Sequence, residues 1–448
     1  MSATPTRIVI VGGGFAGAYC AQALGRNARR LGLDVLLIDR HNYFLFYPLL
    51  VEAGTGSLEP RHAVVPLRTF LRSTRFRMGE VVALDAQQRS IVVHLAEGDL
   101  RQTLAYDHLV LAVGSVTRLP EVPGLREYGF ELKSLTDAIA LRDRAIRLLE
   151  LADALGDAEA RRALLHFVVV GGNFTGVEVA GELEVFLRQA SRSYRNVRPE
   201  ECRVTLIEIT ERILPSLDAG LARYAVDRMQ RRGIDVRLGT TVEQISRESV
   251  QLDDGQVLAT RTVIWCAGIA PPPLLERLAL PVDERGYLLC RPDMRVDGYD
   301  NIWAVGDCAV NPDPEGAPYP ATAQHAIQQG RQLARNLMRA ARGRPPMPCR
   351  IRSKGVLVAL GCRTGVARVF GLKLSGFPAW FLWRTVYLLK MPGLARKVRV
   401  ALDWTVALIF SRDYAELGVH RAQTNAWQRA TGGDQSPRGS DAGRGGIR

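Results

Sequence analysis

Two glycine-rich loops about 160 residues apart, and a strand-to-glycine ending that recurs along the chain, predict an α/β fold of two Rossmann-like domains. The first loop is Ile8-Val9-Ile10-Val11-Gly12-Gly13-Gly14-Phe15-Ala16-Gly17, and the second is Phe167-Val168-Val169-Val170-Gly171-Gly172-Asn173-Phe174-Thr175-Gly176. Each follows β-branched residues and opens a helical stretch, the setting in which such a loop holds a dinucleotide rather than only turning the chain. Gly12 makes the tight turn, Gly14 admits the pyrophosphate, and Gly17 lets helix and strand pack closely. The phosphates then lie at a helix N-terminus, where free N–H groups and the dipole favour an anion. Two such loops imply two dinucleotides, a flavin and a nicotinamide, and hence an FAD/NAD(P)-binding fold.

An acidic residue ending the next strand is expected to hold ribose hydroxyls. Asp39 ends Asp34-Val35-Leu36-Leu37-Ile38-Asp39, and Glu208 ends Arg203-Val204-Thr205-Leu206-Ile207-Glu208. Both lie farther from their loops than the usual ~20 residues. A polar helix from Glu182 to Arg195 is expected to fill the second gap. Asn173 stands where the second loop should have its second glycine. Asparagine tolerates left-handed backbone, but its side chain is expected to crowd the pyrophosphate.

At 448 residues the chain has room for about two to three domains. The first strand is reached by Ile8, which leaves no room for a signal peptide. No run of ~18 apolar residues suggests a membrane span. Seven cysteines occur without a Cys-x-x-Cys pair, so they read as reduced cytoplasmic thiols, and no metal-ligand spacing appears. The formal net charge is +13, and between Pro346 and Glu416 twelve Lys or Arg stand against three acids, a local +9. That segment also holds Trp380, Trp383 and Trp404. Cations with aromatic residues suit either nucleic acid or an anionic membrane surface. Helical periodicity with a thick apolar face favours the membrane over nucleic acid.

In chain order, residues 1–115 read as alternating strands and helices ending in Leu109-Val110-Leu111-Ala112-Val113-Gly114-Ser115. Residues 116–285 hold the second loop and a parallel ending, Thr262-Val263-Ile264-Trp265-Cys266-Ala267-Gly268. Residues 286–345 carry a third, Asn301-Ile302-Trp303-Ala304-Val305-Gly306-Asp307-Cys308, then a helix from Gln324 to Arg339. The repeat suggests a first domain, interrupted by the second, that resumes near 286. Residues 346–417 form the basic C-terminal region. It divides at Pro392-Gly393, with Leu394, Val398, Ala401, Leu402, Leu408 and Ile409 on one helical face and Arg396, Arg399 and Asp403 opposite. This pattern describes a helix lying in a membrane interface. A pair packed on the protein's own core, or in a dimer interface, is the alternative. Residues 418–448 are rich in Gly, Ser and Arg and are expected to be disordered.

These residues resemble the type II NADH:quinone oxidoreductases, single-subunit FAD enzymes, over about Arg7 to Leu417. Besides the two loops, the matching pieces are Tyr47-Pro48-Leu49-Leu50, Trp265-Cys266-Ala267-Gly268, Ala304-Val305-Gly306-Asp307-Cys308-Ala309 and Ala323-Gln324-His325-Ala326-Ile327-Gln328-Gln329. The resemblance implies that FAD lies against Gly12, Gly14, Phe15, Ala16, Gly17, Asp39 and Arg40, with Ala112, Gly114, Gly306, Asp307 and Ala323 beside it. NADH would meet Gly171, Gly172, Asn173, Thr175, Gly176 and Glu208, with Ala267 and Gly268 nearby. Glu178, Gln324 and Gln328 would be the catalytic residues, Glu178 near the nicotinamide or flavin edge and the glutamines bordering the flavin ring and the quinone head group. A hydride would pass to the flavin and two electrons on to a membrane quinone, without proton pumping. The resemblance further implies a homodimer, peripheral on the cytoplasmic side of the membrane. No calcium-binding loop is present, so no metal is expected. Sulfide:quinone oxidoreductase is a competing reading, with Cys308 and Cys362 as candidate sulfur carriers. A soluble NADH-dependent reductase and a signalling flavoprotein are others.

Overall fold

The strand Thr6–Val11 is β-branched at every position but Arg7, and Ile8, Val9 and Ile10 are fully buried. Such a continuous apolar run belongs in a parallel sheet covered on both faces. The computed structural model describes residues 5–418 except 96, 97 and 99. The expected disordered tail thus lies, but for Gly418, outside the described residues.

Thr6–Val11 is central in a seven-stranded sheet of order Ile302–Ala304, His108–Leu111, Thr6–Val11, Leu33–Asp39, Arg75–Asp85, Ser90–Leu95, Arg101–Ala105. The first five strands are parallel, and the last two add an antiparallel edge. Ile302–Ala304 pairs with His108–Leu111, so the third strand-to-glycine ending returns the chain to the first sheet. The second sheet is parallel throughout, in the order Gly129–Phe130, Thr262–Trp265, His166–Val170, Arg203–Glu208, Ile234–Leu238. The chain crosses between the sheets twice, and the crossings run side by side as a short antiparallel pair, Val116–Thr117 with Ile269–Ala270.

Helices Phe15–Gly25 and Ala323–Ala340 cross on the first sheet at very close range. A Cβ on Gly330 would stand 2.2 Å from the Ala16 carbonyl oxygen. Behind the second loop the helix is Phe174–Ala190, so the expected polar helix to Arg195 is the end of a longer one, followed by the 3₁₀ turn Ser191–Ser193. Its Glu182 and Glu184 are buried because Arg412 and Arg232 neutralise them. Charge in the sequence hid a buried face.

The C-terminal region begins with an antiparallel sheet that helical periodicity does not reveal: Gly355–Ala359, Gly365–Val369 and Leu372–Gly376. Helices Phe377–Lys390 and Leu394–Ile409 follow, broken at Pro392-Gly393, where Gly393 has φ +84°. Trp383, Met391, Val400 and Trp404 are buried in the core beneath the first sheet's helices. The face marked by Leu394, Val398 and Leu402 points outward, whereas Asp403 bonds the His62 ring (Oδ2 to Nδ1, 2.5 Å) and Arg396 donates to the Arg61 carbonyl (2.8 Å). Among the described residues no helix is long and apolar enough to cross a membrane.

The C-terminal sheet seats on helix Phe174–Ala190 through one glycine. A Cβ on Gly181 would lie 2.3 Å from the Leu360 carbonyl oxygen. Gly181→Ala is expected to destabilise the protein by about 1–3 kcal/mol, read as a lower thermal midpoint by tryptophan fluorescence. An unchanged midpoint would show that this contact yields freely.

Candidate dinucleotide-binding sites and the recess between them

The two loops are built alike. Gly12 (φ +104°) and Gly171 (φ +110°) turn out of their strands, and a Cβ there would meet the Ala112 carbonyl at 2.2 Å or the Ala267 nitrogen at 2.9 Å. Gly17 and Gly176 sit over the turns, where a Cβ would stand 1.9 and 1.8 Å from the carbonyl oxygens of Gly12 and Gly171. Asp39 Oδ2 accepts the Gly13 N–H at 2.5 Å, and Glu208 Oε2 accepts the Gly172 N–H at 2.5 Å. The other carboxylate oxygens accept from His41 N (2.7 Å) and Thr210 N (2.9 Å). Each acid therefore braces its loop while ending its strand. Arg212 turns away from Glu208 and donates to the Pro215 carbonyl at 3.0 Å.

The loops differ at two positions, Gly14 against Asn173 and Ala16 against Thr175, and the first of these changes the helix N-terminus. Gly14 and Asn173 share an extended backbone, φ −73° and −76°. Asparagine's tolerance of left-handed backbone is therefore unused there. Nor does its side chain hang free in the loop. Asn173 Oδ1 accepts the Gly176 N–H at 3.1 Å, and Nδ2 donates to the Cys266 carbonyl at 2.6 Å. Asn173 caps its own helix. At Gly14 an added Cβ would meet nothing within 4 Å, and helix Phe15–Gly25 has no side-chain cap. The first helix N-terminus is left open for an anion, a cradle that fits a pyrophosphate.

Beyond the first loop, the half-buried Ser115, Lys133 and Asp307 lie together beside the exposed Tyr47. Tyr47 is 39% exposed, but burial by its surroundings raises its phenol. Lys133 Nζ donates to Ser115 Oγ at 3.1 Å, and the Ser115 hydroxyl donates to Asp307 Oδ2 at 3.3 Å. Burial raises the Asp307 carboxyl, with Lys133 opposing, and burial lowers the Lys133 ammonium. Lys133 also lies 5.8 Å from the Tyr47 ring centre. Lys133 and Ser115 were not anticipated. Ser134 and Asp137 form a capping box, whose sequence signature was there to be read and which fixes the chain just after Lys133.

Rings connect this group to the C-terminal helices: Tyr47 to Phe15 at 6.2 Å, Phe15 to Phe46 at 6.0 Å, Phe46 to Tyr387 at 6.2 Å and Tyr387 to Trp383 at 4.9 Å. Glu178 stands at that end. Its Oε1 accepts both the Ala359 N–H and the Trp383 indole N–H, each at 3.1 Å. Burial pushes its carboxyl up to about 8, with both hydrogen bonds opposing and the charges of Glu52 and Glu182 reinforcing. Glu52 receives the Trp404 indole N–H at 2.7 Å, and burial raises it to about 7.

The remaining expected residues scatter more. Gln324 bonds Ser353 Oγ (3.2 Å) and Lys354 N (3.1 Å), and Gln328 donates to the Arg352 carbonyl (3.2 Å), so both amides hold the segment before the C-terminal sheet. The glutamine that meets the Gly306–Asp307 turn is Gln329, whose Oε1 accepts the Gly306 N–H at 2.7 Å. Ala323 begins its helix after the Thr322 cap. Thr175 lies in the first turn of the second loop's helix, and Gly268 makes a turn with φ +81°. Arg40 is exposed. Cys308 is fully buried, burial pushes its thiol up to about 11, and it bonds the Val305 and Leu111 carbonyls, while Cys362 is exposed on a hairpin turn. Neither is arranged as a sulfur carrier.

The comparisons with known proteins agree with this geometry. A family model described as pyridine nucleotide-disulphide oxidoreductase matches residues 6–330, and one described as the NDH2 C-terminal domain matches residues 354–413. The chain belongs to the pyridine nucleotide-disulphide oxidoreductases and, within them, to the type II NADH:quinone oxidoreductases. It is similar to the demethylphylloquinone reductase NdbB of Synechocystis, 33% identical over 89% of this chain and 95% of that protein. It is likewise similar to the type II NADH:quinone oxidoreductase Ndh of Mycobacterium tuberculosis, 31% identical over 91% of this chain and 89% of the other. In fold it matches NDH2 from Plasmodium falciparum solved in complex with NADH, with a TM-score of 0.85 at 21% identity, covering 92% of this chain and 99% of that one.

Glu178 generates a pH prediction. Its folded pKa, about 8, lies above the ordinary 4.5. Between those values the folded state holds more protons than the unfolded one, so the Glu178 contribution to stability falls as pH rises through that window and levels off above about 8. Glu178→Gln should therefore gain in thermal midpoint, relative to the parent, on going from pH 5 to pH 9. Parallel midpoint curves for parent and variant would rule out the buried, protonated carboxyl.

Proposed function

We propose that this chain carries two electrons from NADH through FAD to a membrane quinone, with residues 1–115 and 286–345 holding FAD, residues 116–285 holding NADH and residues 346–417 docking the protein on the cytoplasmic face of the membrane. One observation supports this reading above the others: two matched glycine loops, each braced by its own carboxylate, in a chain whose first loop is linked by ring contacts to the C-terminal helices. FAD would supply hydride acceptance and electron transfer, the chemistry the protein itself lacks. The protein's own groups bind and orient. The uncapped helix at Gly14 would hold the FAD pyrophosphate, with Asp39 at a ribose and Asp307, Ser115 and Lys133 beyond the first loop. The second loop has spent one N–H on Asn173, which suits a dinucleotide that binds and leaves each turnover rather than a resident one. Glu178, protonated near neutral pH and bonded to Trp383, would hold a proton beside the reacting rings. Gln324 and Gln328 would act from the side of the Arg352–Lys354 segment. An assay with a short-chain quinone and NADH, NADPH or sulfide as donor tests the reading, together with identification of the flavin released by acid. FMN in place of FAD, or turnover with sulfide alone, would overturn it.

Donor choice follows from Glu208. A carboxylate at the ribose accepts from the 2′-hydroxyl and repels a 2′-phosphate. Glu208→Gln is expected to lower the NADH-to-NADPH ratio of kcat/KM by roughly tenfold, on the scale of about 1.4 kcal/mol for that factor. It should also loosen the loop through Gly172. An unchanged ratio would remove Glu208 from this role.

The membrane reading rests on the helix Leu394–Ile409, whose Val400, Trp404, Asp403 and Arg396 meet the protein while Leu394 (78% exposed), Leu402 and Ile409 (73% exposed) face out. Lipid is the proposed occupant, with a second copy of the chain as the alternative. Removing the whole segment is a poor test, because Trp383 and Trp404 belong to the core. Leu394→Glu with Leu402→Glu leaves the core intact. The pair should release the protein from vesicles containing anionic lipid and cut activity with long-chain quinones more than with short-chain ones. Retained vesicle binding would exclude this face, and loss of a dimer in its place would assign the face to a second copy.

A further inference from the structure

After helix Leu394–Ile409 the chain does not end at the surface. The stretch Ser411–Leu417 has no regular structure of its own, yet it is bonded along its length to both halves of the molecule. Arg412 is the first fastener. Its Nη1 donates to the Thr55 carbonyl at 3.1 Å, in the first half, and its Nη2 donates to Glu182 Oε2 at 2.6 Å, on the second loop's helix. The Asp413 carbonyl lies against Gly56, where a Cβ would approach it to 2.7 Å. Tyr414 shares a hydrogen bond with Ser193 (2.6 Å), Glu416 pairs with Arg147 (2.7 Å), and the Leu417 N–H reaches Asp143 Oδ1 (2.9 Å), all on the second half.

The chain itself joins the halves at the paired crossings Val116–Thr117 and Ile269–Ala270, a ladder of two residues on each side. The halves also meet where Leu50 and Val51 pack into the second half's core and where Lys133 donates to Ser115, and the strap adds a further tie to these. Hydride transfer needs its donor and acceptor within about 3–3.5 Å, and a displacement of about 1 Å costs on the order of a hundredfold in rate.

We propose that Ser411–Leu417 is a strap that holds the two dinucleotide-binding halves at the separation hydride transfer requires, with Arg412 as its positioning residue. The proposal rests on the reading that NADH reduces a flavin held in the other half. The strap acts on one half-reaction only. Passage of electrons from flavin to quinone would take place between the first half and the C-terminal helices, which Trp404 ties to Glu52 by a hydrogen bond that does not involve the strap.

The test uses the full chain with its flavin. Arg412→Lys keeps the charge that offsets Glu182 but cannot bridge the Thr55 carbonyl and Glu182 at once. Gly56→Ala, at φ +72°, displaces the strap from the other side and leaves Arg412 intact. The flavin content of each is measured first. Anaerobic mixing with NADH then gives the rate of flavin bleaching, and mixing of dithionite-reduced protein with a short-chain quinone gives the rate of reoxidation. Both variants should keep their flavin and their reoxidation rate, and should bleach about tenfold or more slowly at saturating NADH. Parent-like bleaching in both variants overturns the proposal. So does a parallel fall of both rates with flavin loss, the signature of a merely structural segment. If the parent itself is not bleached by NADH, the functional reading fails, not the strap.

Discussion

A backbone-to-backbone approach sets this structure. At Gly17 and Gly176 the helix leaves so close over the turn before it that a methyl group would stand under 2 Å from a carbonyl oxygen. Only glycine permits the crossing, and the crossing fixes the angle between strand and helix. From that angle follow the placement of the helix N-terminus over the sheet edge and the reach of the Asp39 and Glu208 carboxylates to the loop amides. The same constraint, met twice, gives the molecule two equivalent cradles.

Equal geometry does not give equal chemistry. The difference between glycine at 14 and asparagine at 173 leaves one helix N-terminus open and closes part of the other with an internal hydrogen bond. An open N-terminus offers more donors to a phosphate, and a capped one gains helix stability at the expense of anion affinity.

The C-terminal helices are arranged inside out. Their tryptophans are core residues, and two of them donate indole N–H groups to carboxylates, Trp383 to the half-buried Glu178 and Trp404 to the buried Glu52. Those carboxylates belong to different halves. Arg384 lies between Trp380 and Trp404, 4.4 and 4.6 Å from their ring centres, and carries the charge that faces Glu52. The outward face carries Leu394, Val398 and Leu402, while Asp403 and Arg396 of the last helix bond the protein. The same helices thus present indoles to these acids on one side and an apolar face to the outside.

The sequence by itself determined both glycine loops, the acids that end the following strands, the return of the chain to the first sheet and the break at Pro392-Gly393. These features rest on local rules: glycine where the backbone admits nothing else, β-branched runs for covered strands, and a fixed helical period. Tertiary structure alone decided that Lys133 reaches Ser115 beside Asp307, that Gln329 rather than Gln324 or Gln328 meets the Gly306 turn, and that Glu178 and Glu52 are raised by burial. It also decided that the acids of helix Phe174–Ala190 are buried and that Asn173 caps its helix. The reason is common to all of them. A charged or amide side chain carries no local signal of its partner, and whether it is solvated, paired or sealed depends on chain segments that only folding brings beside it.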